Sequence, residues 1–249
     1  MLEIIKKAYN KATKRVLFLD YDGTLVPFHD LPSDAKIGKE TISILNNLSL
    51  DTKNTIVIIS GREMSFLEDQ FEGLNITLIS EHGYSIKQPG NGKILRYSLN
   101  LDWKKIFREL LKKFVLHVPG SYTEEKESSV AFHYRNVKNG IWIEKSPALL
   151  AEIKSALSAN PDLEMLEGNM VIEIKMAAYN KGVVAKDFSQ KSIFDFILAA
   201  GDDVTDETLF LELNDVAETI KVGEGNTLAK YRIDKSAEFI TFLSELSGT

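Results

Sequence analysis

Short apolar runs alternate with segments of helical spacing in the first third of the chain. Residues 16–19, 55–60 and 75–80 are nearly continuous apolar runs, as expected for strands that are buried on both faces. Between and after the first two runs, residues 40–48 and 62–71 place apolar side chains at helical spacing. Because strand and helix alternate, the pattern predicts a parallel sheet with right-handed crossover connections.

The pattern changes in the middle of the chain. Residues 128–135 alternate between polar and apolar side chains, which predicts a half-buried strand. Trp103–Val115 is amphipathic with a helical period. Pro147 is expected to open a further helix that ends near Ser158.

Two segments of this middle region carry turn residues between strand-like runs. Residues 84–99 predict a hairpin around a Pro-Gly-Asn-Gly turn, and residues 163–175 predict a second hairpin with Gly168 and Asn169 at its turn. Together with the alternating strand and the two helices, these hairpins predict an antiparallel sheet covered by helices.

The first pattern returns near Lys181, with a helix, an apolar strand, a helix, a strand and a closing helix from Ser236. The sequence therefore predicts an α/β fold. Its Rossmann-like parallel-sheet core is formed by residues 1–99 and 178–249, and an α+β domain of antiparallel sheet and helices is inserted over residues 100–177.

Composition and charge narrow the class of protein. The net charge of -6 over 249 residues argues against nucleic acid as a partner, because nucleic-acid-binding surfaces are basic. The absence of cysteine suits a reducing compartment and excludes a thiol nucleophile. The start of the chain does not resemble a signal peptide, and no apolar run reaches the ~18 residues that span a bilayer. We expect a cytoplasmic protein with no membrane partner, and a monomer.

Polar residues follow three of the predicted parallel strands. Asp20 and Asp22 come directly after the first apolar run, residues 60–62 (Ser-Gly-Arg) follow the second, and Asp202 and Asp203 follow the apolar run in the last third of the chain. In an open parallel sheet, ligands bind beyond the carboxyl ends of the strands, where these residues converge. The sequence therefore predicts one polar site at this edge of the sheet.

Acidic residues are concentrated in the stretch DDVTDE at residues 202–207. One interpretation is an acidic helix start, because carboxylates cap helix N-termini and favour the helix dipole. Taken with Asp20 and Asp22, the stretch favours a hard divalent cation with oxygen ligands. A calcium loop counted from Asp20 fails, because its sixth and twelfth positions are Leu25 and Leu31. We therefore predict Mg2+ together with a substrate phosphoryl group.

The motifs LDYDGTL, ISGR, NKG and GDDVTDE occur in the order found in the haloacid dehalogenase-like phosphatases, and the sequence resembles that superfamily. The resemblance implies that Asp20 is a nucleophile that forms an aspartyl-phosphate, and that Asp22 is the general acid and base. It implies that the Asp20 carboxylate, the Asp22 backbone carbonyl and Asp202 hold Mg2+. Asp203 and Asp206 would act through water or as acceptors behind these ligands.

The resemblance also assigns the phosphoryl oxygens to Ser60 and Lys181. An alternative for Ser60 is the N-cap of the helix that follows it. Lys181 competes with Lys175 and Lys186, and any single lysine also fits a solvated surface charge. Lys181 is preferred because its NKG motif occupies the third motif position at a helix start.

The stretches SEHG and PGSYTEEKESSVAFHYR, with the motifs above, resemble the trehalose-6-phosphate phosphatases. The resemblance implies hydrolysis of trehalose 6-phosphate beneath an inserted cap that closes over a small phosphorylated sugar. It implies a trehalose-phosphate synthase, separate or fused, as a partner. The residues that it assigns to substrate binding are Glu124, Lys126 and Glu173 in the cap and Gly61, Arg62 and His82 in the core.

Alternatives stay open for the cap and for the substrate. The TEEKE stretch also fits a solvated loop, and Glu173 and Lys175 also fit the wet face of an exposed sheet. The sequence departs from the family pattern at Glu127, where glycine is expected, and at residues 175–176, where Arg-Pro is expected. The alternative substrate is therefore another sugar phosphate, such as sucrose 6-phosphate or mannosyl-3-phosphoglycerate. A phosphomutase and a non-catalytic sugar-phosphate sensor are the other classes.

Overall fold

The chain folds as two compact units. The structure is a computed structural model that describes residues 2–27, 34–90, 92–168 and 170–248. The first unit combines Met1–Arg96 with Tyr179–Thr249, and the second unit is Tyr97–Ala178. Asn91 and Asn169, which belong to the two predicted hairpin turns, lie outside the described residues.

Strands and helices alternate along most of the chain. The first unit begins with α1 (Leu2–Lys11), β1 (Arg15–Leu19), α2 (Lys39–Leu50), β2 (Asn54–Ile59), α3 (Met64–Gln70), β3 (Thr77–Ser80), β4 (Ser85–Lys87) and β5 (Ile94–Arg96). The second unit contains α4 (Trp103–Val115), β6 (Tyr122–Glu125), β7 (Ser129–His133), α5 (Asn139–Ser158), β8 (Leu163–Gly168) and β9 (Val171–Met176). The first unit resumes with α6 (Lys181–Gln190), β10 (Phe196–Gly201), α7 (Asp206–Glu212), β11 (Glu218–Val222), β12 (Tyr231–Ile233) and α8 (Ser236–Ser247). None of the described helices is both long and apolar enough to cross a membrane.

An eight-stranded sheet forms the first unit, in the order β12-β11-β10-β1-β2-β3-β4-β5. The strands from β12 to β3 are parallel, and β4 and β5 are antiparallel to their neighbours. In the central register, Leu19 of β1 pairs with Ala200 of β10 and with Ile58 of β2. The carboxyl ends of these three strands therefore meet at one edge of the sheet.

Helices cover both faces of this sheet. On one face, Leu17 and Leu19 belong to an apolar core that includes Leu45 of α2 and Phe239 of α8. On the other face, Phe18 meets Phe188 of α6 edge to face, with ring centroids 5.9 Å apart. Because β1 is covered on both sides, every residue of this strand is buried, which explains the continuous apolar run in its sequence.

The second unit is a four-stranded antiparallel sheet in the order β6-β7-β9-β8. Val130 and Phe132 of β7 lie in its apolar core with Phe107 of α4 and Leu149 of α5. Since side chains alternate along a strand, Ala131 lies on the opposite, polar face of this sheet. The two units confirm the predicted fold class, an α/β parallel-sheet core with an inserted α+β domain.

One predicted helix start is wrong. Pro147 was expected to open a helix, whereas α5 begins at Asn139 and carries Pro147 in its interior. Proline disfavours an interior position, because it removes one helical hydrogen bond and crowds the carbonyl four residues earlier. Tertiary packing outweighs that cost here, since Ile141 and Trp142 in the additional turns pack against the core of the second unit.

Three of the α-helices and strands in the described residues have no counterpart in the prediction, namely α1, β6 and β12. β6 crosses the charged TEEKE stretch, so the solvated-loop alternative for that stretch is wrong. The strand pairs with β7 from Tyr122 opposite His133 to Glu125 opposite Val130. Pairing with β7 stabilises this strand, because a charged segment carries little apolar alternation of its own.

We expect Gly182→Ala to destabilise the first unit. A Cβ at this position would overlap the backbone carbonyl of Thr208, where α6 packs closely on α7. Overpacking of this kind costs about 1–3 kcal/mol of unfolding free energy, which urea denaturation measures. Gly140→Ala in α5 is the matched control, because no atom lies within 4 Å of the added Cβ. Equal stability of the Gly182 and Gly140 variants would contradict the close packing.

Candidate active site

The predicted polar residues of the first unit lie at the carboxyl edge of its central strands. Asp20 follows β1 directly, and its backbone N–H donates to Ala200 O at 3.0 Å. Asp202 follows β10 directly, two residues after the Ala200 carbonyl that accepts this hydrogen bond. Asp20 and Asp202, which are 182 positions apart in the chain, are thus brought to the same edge by the parallel register of β1 and β10.

Two glycines allow the acidic residues to approach one another. Gly23 has φ 85°, and a Cβ there would overlap the carboxylate of Asp202. A Cβ on Gly201 would overlap the carboxylate of Asp206. The glycine after Asp22 is therefore needed to pack the two acidic segments together, and the glycine before Asp202 is needed for the turn within the second segment.

Lys181 is the central cation of this edge. Its Nζ lies 2.6 Å from Asp20 Oδ1 and 2.8 Å from Asp206 Oδ1, and the side chain is only 3% exposed. Asn180 caps α6 by accepting a hydrogen bond from the Val183 N–H at 2.9 Å, which fixes Lys181 at the first helical position. The surface-charge alternative for Lys181 is wrong.

The competing lysines lie elsewhere. Lys186 pairs with Glu212 at the surface, at 2.8 Å. Lys175 belongs to the second unit and pairs with Glu164 at 2.6 Å. Neither of these two ion pairs involves the carboxylates at the edge of β1.

The stretch DDVTDE forms a network of internal hydrogen bonds. Asp203 Oδ1 accepts from the Thr205 N–H and hydroxyl, at 2.8 and 2.6 Å. Asp206 Oδ2 accepts from the N–H groups of Asp202 and Asp203, at 3.0 and 3.1 Å. Burial alone would raise the pKa of Asp203, but the Lys181 charge and the Thr205 hydrogen bond outweigh it and lower this pKa to about 2.

Burial and crowding shift the pKa values of the remaining acids. Burial, followed by the charges of Asp206 and Asp203, raises the pKa of Asp202 to about 7. Burial also raises the pKa values of Asp20 and Asp206, although Lys181 opposes this shift. Burial acts against the charged form of Lys181, but the carboxylates of Asp20 and Asp206 outweigh it and raise its pKa. One ammonium thus serves several carboxylates, and the raised pKa of Asp202 reflects burial and the negative charge that Lys181 does not offset.

The acidic cluster fits a hard divalent cation. Asp20, Asp202 and Asp206 each offer a carboxylate oxygen, and these atoms lie within 4.8 Å of one another. Asp20 Oδ2 is buried and accepts no hydrogen bond from the described residues. Both Asp206 oxygens already accept hydrogen bonds, from Lys181 and from the backbone. Asp20 and Asp202 could therefore serve a cation more readily than Asp206, whose oxygens are already occupied.

Asp22, which is not one of these three clustered carboxylates, forms an ion pair with Arg62. The guanidinium donates two hydrogen bonds to the carboxylate, from Nε to Oδ2 at 2.7 Å and from Nη2 to Oδ1 at 2.6 Å. Arg62 also lies over the ring of Phe66, 4.5 Å from its centroid. The Asp22 side chain is thus fixed in position by a bidentate ion pair.

The residues after β2 and β3 lie next to one another. The Ser60 hydroxyl accepts a hydrogen bond from the Arg62 N–H at 3.2 Å, and the Ser60 carbonyl accepts one from the His82 N–H at 2.9 Å. α3 begins at Met64, so the N-cap alternative for Ser60 is wrong. A Cβ on Gly61 would overlap the His82 ring. Glycine is therefore required at position 61 to leave room for His82.

The backbone beside Ser60 is strained. Glu81 and His82 have φ angles of 47° and 57°, in the left-handed region that non-glycine residues rarely adopt. Such strain persists only where the surrounding structure imposes it, and it is frequent at functional sites.

The predicted residues of the second unit form a separate group. Lys126 Nζ lies 3.1 Å from Glu173 Oε1, and the Ser129 hydroxyl donates to the same oxygen. Glu124 Oε2 lies 2.7 Å from His133 Nε2. Glu173 is buried, so the alternative of a wet, exposed sheet face is wrong for this residue.

The sequence analysis missed two residues of the acidic edge, Lys221 and Thr24. Lys221 is buried in β11 and donates to the backbone carbonyl of Asp202. Thr24 Oγ1 lies 3.4 Å from Asp202 Oδ1. A lysine within the apolar ETIKVG run was the available signal for Lys221, because a buried ammonium requires partners.

The comparison with known families agrees with this geometry. A sequence model of the family described as trehalose-phosphatase matches residues 18–236. The chain belongs to the trehalose-phosphatase family. The matched span includes both the acidic edge of the first unit and the polar residues of the second.

Two relatives of this trehalose-phosphatase family member are longer proteins. The chain is 39% identical over 249 residues to alpha,alpha-trehalose-phosphate synthase [UDP-forming] B of Dictyostelium discoideum, covering 98% of this chain and 31% of that protein. It is 35% identical over 242 residues to the bifunctional trehalose-6-phosphate synthase/phosphatase of Thermoproteus tenax, covering 97% of this chain and 33% of that protein. The chain thus spans about a third of the length of these curated relatives.

Solved structures of trehalose-6-phosphate phosphatases resemble this fold. The C-terminal domain of the C. albicans trehalose-6-phosphate phosphatase superposes with a TM-score of 0.93 at 26% identity, covering 99% of this chain and 96% of that one. The Aspergillus fumigatus trehalose-6-phosphate phosphatase superposes with a TM-score of 0.73 at 26% identity, covering 100% and 97%.

Asp202 is expected to make folding stability depend on pH in the absence of metal. Its pKa is about 7 in the folded state and 3.8 ordinarily, so between these values the unfolded state releases the proton that the folded state retains. The contribution of Asp202 to the free energy of unfolding therefore falls as pH rises through this window. When the pH is raised from 5 to 7.5 in EDTA, the unsubstituted protein should lose more stability than Asp202→Asn. The difference between their free energies of unfolding should shift in favour of the variant by more than about 1 kcal/mol.

Urea unfolding at the two pH values measures this difference. Asp234→Asn is the control, because Asp234 is exposed. A difference between Asp202→Asn and the unsubstituted protein that stays constant with pH, or that changes in the other direction, would show that Asp202 is ionised throughout.

Proposed function

We propose that this chain is a Mg2+-dependent phosphomonoesterase that hydrolyses trehalose 6-phosphate to trehalose and phosphate through a phosphorylated Asp20. The observation that carries the proposal is the arrangement around Asp20. One carboxylate oxygen accepts a hydrogen bond from the buried ammonium of Lys181, and the other is buried and accepts none from the described residues. Membership of the trehalose-phosphatase family supports the same activity.

The first half of the reaction transfers the phosphoryl group to Asp20. A carboxylate oxygen of Asp20 attacks phosphorus, the bond between phosphorus and the sugar oxygen breaks, and Asp22 donates a proton to that oxygen. Lys181 and Ser60 bind the phosphoryl oxygens and offset their charge, which is the main requirement of phosphoryl transfer. Lys181 also keeps the Asp20 carboxylate in place, through the 2.6 Å contact to Oδ1.

The second half of the reaction releases phosphate. Asp22 accepts a proton from water, the water oxygen attacks phosphorus, and the bond between phosphorus and Asp20 breaks. Arg62 orients the Asp22 carboxylate that this step uses. The ion pair occupies both carboxylate oxygens, so we expect the substrate phosphate to draw the guanidinium of Arg62 away from Asp22 before Asp22 donates its proton.

The residues that would hold Mg2+ are Asp20, Asp202 and the backbone carbonyl of Asp22. When bound, the ion supplies positive charge that stabilises the phosphoryl oxygens. Asp203 and Asp206 would keep these ligands in place. Lys221 would fix the backbone of Asp202 through its carbonyl.

The second unit, at about residues 100–177, would recognise the sugar. Glu124, Lys126 and Glu173 offer two carboxylates and an ammonium, which form several hydrogen bonds to neighbouring hydroxyl groups. The resemblance of the sequence to trehalose-6-phosphate phosphatases supports this assignment. Gly61, Arg62 and His82 would contribute from the first unit.

We place the chain in the cytoplasm with a trehalose-phosphate synthase as its partner. The absence of cysteine supports a reducing compartment. The Thermoproteus tenax relative is named as a bifunctional synthase and phosphatase, and it is about three times as long as this chain. That relative supports a synthase that is fused to, or acts together with, the phosphatase.

A panel of sugar phosphates tests the proposed function. We expect phosphate release from trehalose 6-phosphate with Mg2+ and little release with EDTA. Release from sucrose 6-phosphate and mannosyl-3-phosphoglycerate should be at least about tenfold slower in kcat/KM, because each mismatched polar contact costs ~1.4 kcal/mol or more. Asp20→Asn should abolish turnover, since an amide does not replace the nucleophile, whereas exposed Asp234→Asn should retain it.

Other outcomes assign the chain to a different class. Equal rates over the panel would overturn the trehalose assignment. Return of phosphate to the sugar with a bisphosphate activator would indicate a mutase. Tight binding without turnover would indicate a sensor, and activity retained in Asp20→Asn would overturn the covalent mechanism.

A further inference from the structure

The polar face of the second unit carries an ordered row of side chains. Tyr122 pairs with His133 and Glu124 pairs with Ala131 between β6 and β7, and Ala131 pairs in turn with Glu173 of β9. Residues at these positions share one face of the sheet. Ala131 is the small residue between two carboxylates, and His133 stands diagonally across from Glu124.

His133 is fixed by two contacts of different kinds. Its ring stacks on Tyr122, with centroids 4.4 Å apart and planes inclined by 8°. Its Nε2 lies 2.7 Å from Glu124 Oε2. With the Glu124 carboxylate ionised, this bond requires the hydrogen to be on Nε2. The hydrogen bond from His133 is also the largest influence that lowers the pKa of Glu124.

The contact leaves Glu124 available to a ligand. The His133 side chain is 15% exposed, whereas the Glu124 side chain is 40% exposed. Within the described part of the chain, the hydrogen bond to Glu124 engages Oε2 and leaves Oε1 for another donor. A glutamate with several rotatable bonds is thus held in one orientation by a more rigid and more deeply placed ring.

We propose that His133 is a positioning residue that holds Glu124 in the orientation that accepts a hydrogen bond from a sugar hydroxyl. The inference rests on the proposed function, because it assigns Glu124 to the sugar. Tyr122 supports the imidazole ring by stacking on one of its faces. The array lowers the entropy that Glu124 loses on binding, so its effect falls on affinity and not on the chemical step.

His133→Phe removes the hydrogen bond and keeps an aromatic ring on Tyr122. We expect KM for trehalose 6-phosphate to rise about tenfold, or ~1.4 kcal/mol, the magnitude of a hydrogen bond to a charged group. The value of kcat should change less than about threefold. His133→Gln keeps a donor near the position of Nε2 and should restore most of the affinity. His117→Phe, at an exposed histidine of the same unit, is the matched control.

A double-mutant cycle separates positioning from general damage. Glu124→Ala should raise KM at least as much as His133→Phe, and adding His133→Phe to Glu124→Ala should raise it no further. Additive effects would overturn the inference. So would an equal fall in kcat and thermal stability in the Phe and Gln variants, because a purely structural role would produce that result.

Calorimetric binding of trehalose 6-phosphate to the Asp20→Asn protein separates this inference from the proposed function. Turnover by the unsubstituted protein with no effect of His133→Phe overturns the inference alone. If His133→Phe weakens binding about tenfold but the unsubstituted protein shows no turnover, the proposed function alone is overturned. Neither binding nor turnover overturns both.

Discussion

The buried ammonium of Lys181 is the interaction on which the acidic edge depends. It lies between Asp20 and Asp206, and all three side chains are almost completely removed from solvent. Removing one partner from such a group leaves an unpaired buried charge, which costs about 3–5 kcal/mol. With Asp202 beside it, the single ammonium does not balance the carboxylates. This imbalance is the physical reason for the proposed Mg2+, which together with Lys181 would offset the charge of the proposed phosphoryl ligand.

The fold serves this charge arrangement by bringing distant segments into contact. The parallel register of β1 and β10 places Asp20 beside the segment that carries Asp202. Gly23 leaves room for Asp202 of the second acidic segment, and Gly201 leaves room for Asp206 within that segment. Arg62 binds the Asp22 carboxylate, whereas Lys181 binds the Asp20 carboxylate. One sheet edge thus provides two carboxylates, two positions apart in sequence, with different environments.

The sequence predicts the parts of the molecule whose signal is local. The buried strands, the polar residues at their ends and the preference for Lys181 follow from apolar runs and motifs, and the structure agrees with each. The predicted start of α5 at Pro147 is wrong, because the packing of Trp142 outweighs the local effect of Pro147. β6 and Lys221 were missed since their stability comes from partners distant in sequence. The pairing of Asp22 with Arg62 and of Glu124 with His133 likewise needs three-dimensional positions.

Calorimetric titration with Mg2+ tests the central claim most directly. If the carboxylates around Lys181 carry uncompensated charge, the unsubstituted protein should bind one Mg2+ per chain near neutral pH. Asp202→Asn should lose this binding, and Asp234→Asn, at an exposed position, should keep it. Failure of the unsubstituted protein to bind Mg2+ at millimolar concentration, or equal binding by Asp202→Asn, would contradict the account.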